Sequence, residues 1–179
     1  MAQTLAGFLA ALARHDGRVP LAELTARLKE LDVAFDELRD YVRFDPDRYR
    51  RNLLHEGPAH QALVLCWRPG QRSPIHDHRG SSCGVRVIRG VSVETLFERR
   101  SGGHVYAVGS REHPPGTVIG SQDDEIHQIS NLDEHEDLIT LHVYTPPLLR
   151  MGVYSLTDPI RREWYDPVYG VALLEGAGI

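Results

Sequence analysis

From residue 46 onward, glycine and proline cut the chain into short apolar runs, and this texture limits the fold more than any other feature of the sequence. The runs cover 62–67, 84–88, 91–97, 104–108, 116–119, 138–144 and 152–156. Valine, isoleucine and leucine recur in them, and β-branched residues fit a pleated surface. Breakers such as Pro69-Gly70, Gly90, Gly102-Gly103 and Pro114-Pro115-Gly116 lie between them. Short strands at such spacing predict an antiparallel sandwich or barrel.

The first 45 residues have a different period. Leu5, Phe8, Leu9 and Leu12 recur at three and four, as do Leu21, Leu24, Leu28 and Leu31, which predicts short amphipathic helices. Asp16-Gly17 and Pro20 separate the first two, and 32–38 starts a third. With no long linker, repeat or low-complexity tract, the 179 residues are read as one mainly β domain. Its expected parts are a helical cap over 1–45, a β-barrel over 46–160 and a C-terminal extension over 161–179.

Charge and composition exclude several classes of partner. The net charge of −5, with lysine and arginine scattered, offers no footprint for nucleic acid. No apolar run approaches the roughly 20 residues of a membrane span, and the start lacks the basic residues of a secretory signal, so a cytoplasmic location is expected. Cys66 and Cys83 are too few for a disulfide framework, and Cys66 reads as a core residue or pocket wall.

The segment from Gly70 to Cys83 holds His76 and His78, two apart, where strand alternation turns both imidazoles to one face. An isolated pair of this kind is more often a surface feature. His127, ahead of the run at 138–144, is the third candidate ligand. Three imidazoles suit zinc, copper, iron or nickel alike. His15, His55, His60, His104, His113 and His135 lack ligand spacing and receive no role.

In register, Gly70, His76, His78 and Gly90 resemble the first cupin motif, and Pro114, Gly116, His127 and Asn131 resemble the second. The acidic ligand of the first motif is replaced by Cys83, which leaves three neutral imidazoles and the full charge of a divalent ion. The resemblance implies a cupin-type jelly roll, an antiparallel β-barrel with the N-terminal helices packed on it.

Within the cupins, residues 49–147 resemble cysteine dioxygenase: Tyr49-Arg-Arg51-Asn-Leu, Leu65-Cys-Trp67, Ile75-His-Asp-His78, Glu94-Thr-Leu-Phe97 and Leu141-His-Val-Tyr144-Thr-Pro-Pro147 follow in order. The resemblance implies Fe(2+) on His76, His78 and His127, and oxidation of L-cysteine by O2 to cysteine sulfinate. It implies that Arg51, with Tyr49 beside it, binds the substrate carboxylate. It also implies a relay of Thr140, His142 and Tyr144, with threonine in place of the family serine, and a Cys83 able to form a thioether to Tyr144. A small thiol and O2 are then the partners of an expected monomer. The alternatives are a 3-mercaptopropionate dioxygenase, which typically carries glutamine at the clamp, a non-catalytic metal-binding cupin sensor, and a zinc cupin isomerase.

Overall fold

The leucine spacing near the N-terminus forms a helical layer in the structure, a computed structural model that describes residues 3–170. A two-residue strand β1 (Gln3–Thr4) leads into α1 (Leu5–Leu12), whose start is capped by the Thr4 hydroxyl accepting from the Gly7 N–H. Then come α2 (Leu21–Glu30), β2 (Leu31–Asp32), which pairs with β1, and the single turn α3 (Phe35–Leu38).

Twelve strands follow: β3 (Arg50–Gly57), β4 (His60–Trp67), β5 (Ile75–His76), β6 (Ser82–Arg89), β7 (Ser92–Arg99), β8 (Val105–His113), β9 (Val118–Gln122), β10 (Ile126–Ser130), β11 (Leu138–Thr145), β12 (Met151–Tyr154), β13 (Arg162–Trp164) and β14 (Val168–Tyr169). They make two six-stranded sheets, ordered β13-β12-β5-β10-β7-β8 and β14-β3-β4-β11-β6-β9. Pairing is antiparallel except between β14 and β3.

All eight residues of β4 and all eight of β11 are buried, because their sheet is covered on both faces. Leu63, Leu65, Trp67 and Tyr144 point into the space between the sheets, where Ile129 and Met151 meet them from the other side. Ala62, Leu141 and Val143 point outward against Phe8, Leu12, Leu24 and Leu28 of the helical layer. Cys66 also faces outward, with Val64, Ile139 and Leu38, so it is a core residue beneath the helices and not a pocket wall.

The helices therefore pack on one sheet, as the sequence predicts. Closure into a barrel is not found among the described residues: side chains, not ladder hydrogen bonds, join the two sheets. The seven expected runs all lie in strands, with ends shifted by a few residues. Strands β3, β5 and β10 are additions, as are the short β13 and β14 within the expected C-terminal extension. The rest of that extension, 171–179, lies outside the described residues.

Helix α2 sits close to the sheet because glycine lies beneath it. Gly84 and Gly120 are opposite one another in β6 and β9. A Cβ at Gly84 would stand 2.5 Å from Leu28 Cδ1 and 2.9 Å from Leu24 Cγ, and one at Gly120 would stand 2.7 Å from Thr25 Cγ2. Overpacking of this kind costs about 1–3 kcal/mol. Gly84→Val is expected to lower the denaturant midpoint by an amount in that range, with an unchanged slope. An unshifted midpoint would show that α2 does not dock there.

Candidate active site

Three histidines converge at the inner face of the first sheet. His76 of β5 stands directly opposite His127 of β10. The regular strand ends at His76, so alternation along one strand does not by itself place His78. That residue is set by its own N–H, which donates to the Asp123 carbonyl at 2.9 Å, ahead of the turn at Arg79 and Gly80. Asp77, between the two, turns the other way and accepts from the Gly152 N–H, the Tyr154 hydroxyl and the Arg161 guanidinium. One ring nitrogen from each of His76, His78 and His127 lies within 4.8 Å of the others.

Burial decides the protonation of His76 and His78. Loss of solvent pushes His76 down to about 3, with a further contribution from His127, and holds His78 well below the usual imidazole range. Neutral imidazoles offer lone pairs. The Nδ1–H of His76 donates to the Pro74 carbonyl at 3.0 Å, and that of His127 to Glu94 Oε1 at 2.7 Å, which directs each Nε2 lone pair inward. His127 Nε2 and both nitrogens of His78 are buried with no partner. Orphaned nitrogen donors at this spacing fit a divalent metal ion, and a metal is the group that would satisfy them.

Glu94, buried in β7, is a supporting residue to which sequence reasoning assigned no role. Burial raises its carboxyl, but the hydrogen bond from His127 and the neighbouring His113 together hold it below the usual carboxylate value. His113, left without a role, contacts the second oxygen of Glu94 at 3.3 Å. A lone acid in the apolar run of β7 was the available signal for Glu94.

Alternation along β11 brings Thr140, His142 and Tyr144 onto one face. His142 Nδ1 lies 3.1 Å from the Tyr144 hydroxyl and Nε2 lies 3.0 Å from the Thr140 hydroxyl. Trp67 Nε1–H donates to the same Thr140 oxygen at 3.0 Å. Indole can only donate, so Thr140 Oγ1 accepts from Trp67; with the threonine proton directed to His142 Nε2, His142 Nδ1–H donates to the tyrosine oxygen. In that tautomer the tyrosine proton points away from His142. Cys83 stands directly opposite Tyr144 across β6 and β11. Burial pushes the Cys83 thiol and the Tyr144 phenol far above their ordinary values, so both stay protonated.

Arg51 of β3 enters the same cavity, only 2% exposed. Its Nη1 donates to the Asp166 carbonyl at 3.0 Å, while Nε and Nη2 have no partner. Those two N–H groups form one edge of the guanidinium, the edge that pairs with a carboxylate. Tyr49 stacks on Trp67 with ring centroids 4.2 Å apart, and its hydroxyl donates to the Asp166 carboxylate. Its single proton is therefore engaged by the protein.

Two facing antiparallel sheets with three inward histidines define a metal-binding protein of the cupin kind. The sequence profile of the cysteine dioxygenase type I family matches residues 3–157, and this chain belongs to that family. Cysteine dioxygenase type 1 of Homo sapiens is 31% identical over 135 residues, covering 72% of this chain and 66% of the human protein. The Danio rerio protein of the same name is 32% identical over 116 residues, covering 60% and 56% respectively. The chain thus spans just under two thirds of the length of the human relative. Among solved structures, a conserved Klebsiella pneumoniae protein with a double-stranded β-helix domain superposes with a TM-score of 0.56, covering 69% of this chain and 97% of its own. At 18% identity that likeness concerns the fold alone.

Groups that orient a metal ligand typically alter metal affinity 10- to 100-fold. Glu94→Gln is expected to weaken metal retention by about that factor in competition with a chelator. Retention equal to that of wild type would remove Glu94 from the site.

Proposed function

We propose that this protein is an iron-dependent thiol dioxygenase that converts L-cysteine and O2 to cysteine sulfinate. One observation carries the reading: three buried histidines and the open edge of a buried arginine line one narrow cavity. Such a cavity attracts a molecule that is anionic at both ends, a thiolate at the metal and a carboxylate at Arg51. Arginine at the clamp position, where glutamine marks the 3-mercaptopropionate enzymes, favours cysteine. We also take the chain as a single-domain monomer.

Iron bound by His76, His78 and His127 would supply a dication that favours the thiolate and activates O2. Arg51 holds the carboxylate through Nε and Nη2, which fixes the sulfur relative to the histidines. Trp67, Leu65 and Ile129 wall the cavity and exclude water. Tyr144, with its oxygen accepting from His142, is left with one proton to donate toward an oxygen atom arriving at sulfur. Both atoms of O2 end on sulfur, and its oxidation provides the four electrons that O2 accepts, so no external reductant is needed.

The purified protein should hold about one iron per chain, and replacing any of the three histidines should abolish oxygen uptake. Stoichiometric zinc with full activity and no gain from ferrous iron would overturn the assignment. Loss of a charge-assisted contact worth roughly 1.5–3 kcal/mol should cost Arg51→Gln about 10- to 150-fold in kcat/KM for cysteine. Cysteamine, which has no carboxylate, should be affected less. A wild type that strongly prefers 3-mercaptopropionate would move the substrate assignment and leave the dioxygenase.

The register of Cys83 and Tyr144 places a thiol beside the tyrosine ring. A thioether formed there, with O2 as the oxidant, would lower the intact mass by two hydrogens after turnover. A Cys83 that stays fully alkylatable after many turnovers would show it to be a packing residue.

A further inference from the structure

The arginine clamp is completed by a part of the chain that follows the family match. That match ends at residue 157, whereas Asp166 lies beyond it, in the segment between β13 and β14. The Asp166 side chain has no solvent exposure and sits behind the clamp. One carboxylate oxygen accepts from Arg48 and the other from the Tyr49 hydroxyl. Its backbone carbonyl accepts from Arg51 Nη1, and its carboxylate lies 4.0 Å from the same nitrogen.

The segment is fixed in place at several points. Val168 pairs with Arg51 and Tyr169 with Asn52 in the parallel ladder of β14 and β3. The Arg50 guanidinium lies over the Tyr169 ring, 4.2 Å from its centroid. Further back, Arg161 binds Asp77, the residue between His76 and His78. The same stretch of chain thus ties to both the metal strand and the clamp strand.

We infer that Asp166 is a positioning residue that sets the specificity of the site for carboxylate-bearing thiols. Its carboxylate, bonded to Arg48 and Tyr49, holds in place the backbone carbonyl that anchors Nη1 of Arg51 on the far side, so the Nε and Nη2 edge faces the cavity. It also takes the only proton of Tyr49. Tyr49 can then accept from a substrate ammonium but cannot donate to a substrate carboxylate, and Arg51 alone receives that carboxylate. A carboxylate behind the guanidinium also offsets its charge, which makes a buried arginine tolerable when no substrate is bound.

The inference rests on the thiol dioxygenase reading, and binding measured without oxygen separates the two. Iron-loaded wild type, Asp166→Ala and Asp166→Asn would be titrated calorimetrically with cysteine and with cysteamine under anaerobic conditions, and their KM and kcat compared in air. Asp166→Ala should weaken cysteine binding on the order of 10-fold or more and raise its KM to match, with cysteamine affinity and iron content near wild type. Asp166→Asn keeps an acceptor for Tyr49 and should lose less, with the same selectivity. Equal losses for both thiols in Asp166→Asn, or no loss for cysteine in Asp166→Ala, would overturn the role of Asp166. A wild type that binds neither thiol would overturn the dioxygenase reading and this inference with it.

Discussion

The burial of the β4 and β11 pair on both faces is the constraint from which the rest of the structure follows. Helices cover one face and the opposing sheet covers the other, so a polar side chain on these strands is costly unless it is internally bonded. On β11 this sorts Ile139, Leu141 and Val143 outward and Thr140, His142 and Tyr144 inward. Polar groups on the inner face survive burial only as a bonded chain, which begins at the Trp67 indole and ends at the tyrosine hydroxyl. The glycines under α2 serve the same constraint, since they let a helix come close enough to seal the outer face.

Among the buried side-chain atoms without a partner, one group gathers at the site. His78, His127 Nε2 and the Nε and Nη2 of Arg51 are buried without partners, and each such group costs about 1–3 kcal/mol if nothing binds it. They share one cavity. The protein accepts a local loss of stability at a place where a cation and a carboxylate would each recover it. Around that place the supporting bonds are complete: Glu94 behind His127, Pro74 behind His76, and Asp166 behind Arg51 and Tyr49.

Much of this was legible in the sequence where the signal is local. Strands β4, β6, β7 and β11 show as apolar runs bounded by glycine or proline, and the leucine spacing marks α1 and α2. Strand β3 was not legible, since Arg50-Arg-Asn-Leu-Leu-His-Glu-Gly57 has no clean alternation; its pairing with β4 makes it a strand. Strand β10 is five residues long and gave no run to read, although it carries His127. Barrel closure was expected and is not found among the described residues; strand patterning reports which face is apolar and not which edges pair.

Residue order alone specifies a mainly β chain with an N-terminal helical layer, and the histidines, tyrosine and arginine whose spacing matches one family. Residue types and intervals of two to four positions carry that information, because strand and helix periods are short. The state of those residues comes from packing in three dimensions: which imidazole nitrogens are left open, which edge of Arg51 faces the cavity, and that Tyr49 gives its proton to Asp166, 117 positions away. Desolvation and hydrogen-bond satisfaction depend on every atom within a few ångströms, and those atoms come from strands that are distant in the sequence.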